Sequence, residues 1–131
     1  MKAKDIKPVD FIGNIVRNEI MDLLNDLNDL INKLNISIKS LAKNGKALSQ
    51  AEYEYKILLR QEALKLRESE NMPVTLINQI IYGVPEVAKK RFARDVAETY
   101  YNTNQEQINA LKLQIRIISN QIEREWHNVE K

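Results

Sequence analysis

Apolar residues recur along the first third of the sequence at Ile20, Leu24, Leu27, Ile31, Leu34, Ile38 and Leu41, in alternating steps of four and three. That rhythm keeps one seam of a helix turned toward a partner helix. Asn25, Asp26, Asn28, Asp29, Asn32 and Lys33 fill the gaps and give the other face to water. The spacing predicts a helix over about 9–43. Lys43, Asn44 and Gly45 then supply the composition of a helix C-terminus, because glycine takes the left-handed cap conformation cheaply. A stop or a kink is expected there.

A second helix is predicted over about 49–70, opened by Ser49 with Glu52 three residues on, the reciprocal capping pattern. Leu48, Ala51, Tyr55, Leu58, Leu59 and Leu66 carry its near-heptad stripe, interrupted by Glu62 and widened by Ile57 and Leu64. A stripe that wide implies more than one neighbour. Asn71, Met72 and Pro73 break the pattern, since proline lacks an amide and disfavours helix at the residue before it. Leu76, Ile77, Ile80 and Ile81 then predict a short helix over 75–82, with Thr75 as its N-cap and Gly83 ending it. Pro85 and Glu86 suit the first turn of a further helix.

That last helix, predicted over about 86–128, holds no glycine or proline and carries Phe92, Val96, Tyr100, Ile108, Leu111, Ile115, Ile118, Ile122 and Trp126 as its stripe, with a polar gap at 102–105. At 1.5 Å per residue it spans roughly 60 Å. Two packings fit. If Gly45 is a reversal, three helices form a bundle; if it is a kink, the first two form one arm and the last folds back antiparallel, burying heptad against heptad. The fold expected is therefore all-α, a single elongated domain over 1–131 built as a long antiparallel helical hairpin or coiled-coil-like bundle with a short helix at the turn. Either packing leaves apolar seam over. A homo-oligomer, most simply a dimer, is expected through Ile20, Leu24, Leu27, Ile31, Leu34, Ile108, Ile115, Ile122 and Trp126.

Composition narrows the function. The 131 residues are 44% hydrophobic and 29% charged, with 3 Gly, 3 Pro and no Cys. Without cysteine there is no disulfide, thiolate metal site or cysteine nucleophile, which fits a reducing, cytoplasmic setting. The basic residues of 1–7 are not followed by an apolar signal core, and no run of apolar residues is long enough to cross a membrane. A net charge of +2 falls well short of what drives nonspecific nucleic-acid binding, so any such role needs local clustering.

The catalytic candidates are weak. His127 is the one histidine, and a lone imidazole makes neither a metal site nor a catalytic pair. Asp95 and Glu98 share a helix face, but Arg91 and Arg94 lie within ion-pairing reach along it. Phosphate loops, serine elbows and zinc spacings are absent. No enzyme, cofactor or metal is expected. Lys89, Lys90, Arg91 and Arg94 are more informative, because a short helix, a glycine turn and a basic helix outline a helix-turn-helix reader that could hold DNA phosphates. Glu86, Asp95 and Glu98 dilute that charge, so the same residues also read as a solvated face with ion pairs. Glu19, Asp22, Asp26 and Asp29 give a second surface, either a solvated exterior or a phosphate mimic for a basic partner.

Five stretches carry a resemblance: AEYEY at 51–55, LRQEAL at 59–64, MPVTLI at 72–77, RFARDVAE at 91–98 and INALKLQI at 108–115, closed by Glu125 and Trp126. Over 44–126 the chain resembles small proteins of phages and prophages of Firmicutes, often encoded among early replication and recombination functions. The resemblance implies a phage product in the bacterial host cytoplasm and brings no activity or site residues. The function expected is a non-enzymatic accessory protein that binds DNA, or a DNA-processing protein, through the basic residues after the turn. The alternative is an inhibitor of a host defence or replication protein, acting by protein contact; a virion scaffold component is a third class.

Overall fold

A computed structural model describes the backbone of residues 8–130 and the side chains of residues 17–129, leaving the basic stretch 1–7 outside the described residues. The described residues form three α-helices, α1 (Pro8–Ser69), α2 (Val74–Ile80) and α3 (Pro85–Glu130), with a 3₁₀ turn at Ile81–Gly83 between α2 and α3. Among the described residues there is no strand. The protein is all-α, and α1 and α3 pack against each other. Their contacts fall into two compact units, one of Met1–Ile38 with Gln107–Lys131 and one of Lys39–Glu106.

The interruption expected at 44–48 is absent, since α1 runs through it unbroken. Gly45 is not a cap. It is half-buried, and a Cβ built on it would stand 3.3 Å from Cε2 of Tyr101, so glycine serves here to let the Tyr101 ring approach the α1 backbone. Ser49 correspondingly lies exposed inside the helix instead of capping one.

In the first unit, α1 buries or half-buries Ile20, Leu23, Leu27, Leu30, Leu34 and Ser37, and α3 does the same with Ile108, Leu111, Ile115, Ile118, Ile122 and Glu125. Both sets step by three and four. Surface hollows set Glu19 and Asp22 beside Gln121 and Glu125, and Asp29 and Lys33 beside Gln114 and Ile118. Partner numbers fall on α3 as they rise on α1, so the two segments run antiparallel. The seam differs from the sequence expectation in phase. Ile20, Leu27 and Leu34 face inward as expected, but Leu24 (41% exposed) and Ile31 (40%) stand outside, and Leu23 and Leu30 take the inner places. On α3, Ile108, Ile115 and Ile122 are enclosed, whereas Trp126 is exposed. Six of the nine expected seam residues are thus used within the chain.

In the second unit the same stepping continues on α1 through Leu41, Asn44, Leu48, Ala51 and Tyr55, and on α3 through Val87, Lys90, Arg94, Ala97, Tyr101 and Asn104. Asn44 Nδ2 donates to Oδ1 of Asn104 at 2.9 Å inside this seam. A polar pair among apolar layers is satisfied in one helix register and stranded in others, which specifies register at some loss of stability. No buried side-chain nitrogen or oxygen among the described residues lacks a hydrogen-bond partner. Phe92 and Tyr100, expected in the α3 stripe, stand exposed; Asn104, in the expected polar gap, is buried.

Candidate partner-binding groove

The second unit acquires its only multi-sided core where the chain leaves α1. Asn71 takes a left-handed φ of 51°, and the amides of Glu70 and Met72 both donate to the Leu66 carbonyl, at 3.3 and 3.4 Å. Asparagine tolerates that conformation better than other residues bearing a Cβ. Arg67 then donates to the Met72 carbonyl at 3.1 Å. Pro73, at φ −62° and ψ 146°, occupies the N-cap expected of Thr75, and its carbonyl accepts the amides of Leu76 and Ile77. Gly83 holds no positive φ; the turn is closed by the Val84 amide on the Ile81 carbonyl at 3.1 Å. These constraints press Ile77 and Ile81 onto Tyr55 and the fully buried Val87, with Leu59, Ala63, Leu66, Met72 and Val84 packed around them.

Because α2 is only seven residues long, it covers α1 incompletely. A groove of about 580 Å³ remains between α1 and α2 with the turn after it, floored by Leu59, Ala63, Ile77 and Ile81 and edged by Tyr53, Lys56, Arg60 and Tyr82. A smaller hollow of about 240 Å³ adjoins it, sharing Arg60, Ala63, Ile77 and Asn78 and adding Leu64, Arg67 and Val74. Neither hollow is lined by Asp or Glu. Three cations of one helix face, Lys56, Arg60 and Arg67, therefore border an aliphatic floor that no carboxylate lines.

The four basic residues singled out on α3 are brought to this same unit but are mostly engaged. Lys90 Nζ lies 3.3 Å from Glu54 Oε2. Arg94 sits 4.8 Å above the Tyr55 ring and donates to Asp95 at 2.8 Å, a bond that raises its already high pKa. Arg91 lies 5.2 Å over the ring of Tyr82, which itself edges the groove. Lys89 is exposed. Of the expected helix-turn-helix residues, Lys90 and Arg94 thus contact α1 and Arg91 contacts the turn. Gln50 and then Lys90 hold the Glu54 carboxyl below its usual range. A depressed carboxylate contributes stability above its unfolded pKa and loses it as pH falls through the folded one, but both partners here are solvent-exposed and the effect is small.

Lys56, Arg60, Arg67 and Tyr53 were not among the expected site residues. Their signal was present as recurrence at 53, 56, 60 and 67 on one helical face, masked by the glutamates between them. In the first unit, Glu19 and Asp22 border a hollow of about 340 Å³, and Asp26 and Asp29 one of about 350 Å³. Among the described residues no group of three His, Cys, Asp or Glu could hold a metal ion, and no helix is long and apolar enough to cross a membrane. No protein-family model, no curated protein and no solved structure matches the chain.

Proposed function

We propose that the chain is a non-enzymatic phage accessory protein that works by binding DNA or a DNA-processing protein, and that the groove of the second unit is its contact surface. The observation that carries this is the pairing of Lys56, Arg60 and Arg67 with an apolar floor and no lining carboxylate. Elsewhere in that unit charges are mixed; here one sign is left over, which favours an anionic partner and steers its approach. Arg91, seated on Tyr82, extends the same edge, so the basic residues expected to make contact supplement the groove instead of forming a separate site. The helices would form a hairpin of coiled-coil character, and the leftover apolar residues Leu24, Ile31 and Trp126 would support a dimer in the host cytoplasm.

Charge reversal tests the surface. The triple variant Lys56→Glu, Arg60→Glu and Arg67→Glu should keep its helical content and weaken salt-sensitive binding of oligonucleotide or partner protein at least tenfold. Unchanged binding would remove the groove from the account. A second reading, inhibition of a host defence or replication protein, draws on Glu19, Asp22, Asp26 and Asp29, none of which has an ion pair among the described residues. Loss of partner capture on neutralising those four, with the triple variant still active, would favour it.

A further inference from the structure

We propose that the groove takes an amphipathic helix of a partner protein whose apolar stripe is flanked by Asp or Glu. This rests on the reading of the second unit as a binding surface and narrows what it binds. The floor of Leu59, Ala63, Ile77 and Ile81 is hydrocarbon, with the Asn78 amide beside it. Beside it Leu64 (47% exposed) and Val74 (56%) stay in contact with water. A nucleic-acid strand could bring phosphates to the cations and stack a base on Tyr53 or Tyr82, yet it would leave that aliphatic surface wet. Only an occupant with an apolar face of its own covers it, which is how helices dock in grooves.

The cations set the register of the occupant. Lys56, Arg60 and Arg67 are four and seven residues apart on α1, roughly 6 and 10 Å along its axis at 1.5 Å per residue. A helix laid alongside presents carboxylates at the same intervals when they are four and seven residues apart on its flank. Its leucines or isoleucines, at three- and four-residue steps, then point to the floor.

Fluorescence anisotropy with three labelled probes decides the matter on the full chain. The first is a helical peptide of about five turns with leucines on one face and glutamates flanking them, the second the same peptide with lysines for the glutamates, and the third single-stranded oligothymidine. The glutamate peptide should bind at least tenfold more tightly than the lysine peptide, and Lys56→Glu with Arg60→Glu should weaken it at least tenfold. Glutamate-peptide binding that ignores those substitutions would overturn the location. Oligothymidine binding without peptide binding would overturn the inference while leaving the second unit as a binding surface. Binding of no probe would count against both.

Discussion

Val87→Asp should unfold the second unit. Val87 is fully buried in a cluster with Tyr55, Ile77 and Ile81. A carboxylate placed there either stays ionised in an apolar setting or takes up a proton against its ordinary pKa. Both outcomes cost several kcal/mol, and losses above about 4 kcal/mol are characteristic of buried unpaired charge. Domains of this size are held by about 5–15 kcal/mol in total, so one such change consumes most of the margin. Circular dichroism and tyrosine fluorescence through a denaturant titration would report it as a large fall in midpoint or as a chain already partly unfolded in buffer. Ile81→Ala removes volume without adding charge and should cost about 2–5 kcal/mol. A Val87→Asp chain as stable as the wild type would mean that this cluster does not hold α2 and α3 to α1.

Gly45→Leu should destabilise the same unit by about 2–3 kcal/mol, the upper range for overpacking a filled contact. The first carbon beyond the backbone already meets the Tyr101 ring at 3.3 Å, and leucine adds three more carbons in that direction. Gly45→Ala sets a gain in helix propensity of about 1 kcal/mol against a shift of the ring by a few tenths of an ångström, and should come out close to neutral. The contrast between the two is diagnostic. If Gly45 were an ordinary exposed helix glycine, alanine and leucine would both stabilise, because both are strong helix formers.

That glycine also shows where sequence reasoning went astray. Glycine after asparagine and lysine is the composition of a C-cap, and nothing local distinguishes it from a glycine kept for Tyr101 on α3. The phase of the α1 seam failed for a related reason. From Ile20, steps of three and of four both reach an aliphatic residue, at Leu23 and Leu24, and do so again from Leu27 at Leu30 and Ile31. The series diverge at residue 37 or 38, where isoleucine made the four-step series look better; the structure instead buries Ser37 at 5% exposure. Asn104 was read as a gap because its partner, Asn44, is visible only once the helices are paired.

What was legible is what local physics determines. The helical class, the break at Asn71 to Pro73 and the restart at Pro85 follow from backbone chemistry that does not depend on distant residues. The basic run after Pro85 was legible as charge but not as use, because Tyr55, Tyr82 and Glu54 reach it from other elements. The groove is a product of packing, since α2 and the turn after it must first seat Ile77 and Ile81 before Lys56, Arg60 and Arg67 border anything.

The proposed contact of partners with the groove of the second unit can be probed in place. Site-specific photocrosslinking in bacterial cells tests it most directly, with a photoreactive residue replacing Ile57 at the groove (40% exposed) or, as the comparison, Leu113 of the first unit (54%). A discrete adduct is expected from the Ile57 position and none from Leu113. An adduct from Leu113 with none from Ile57 would contradict it.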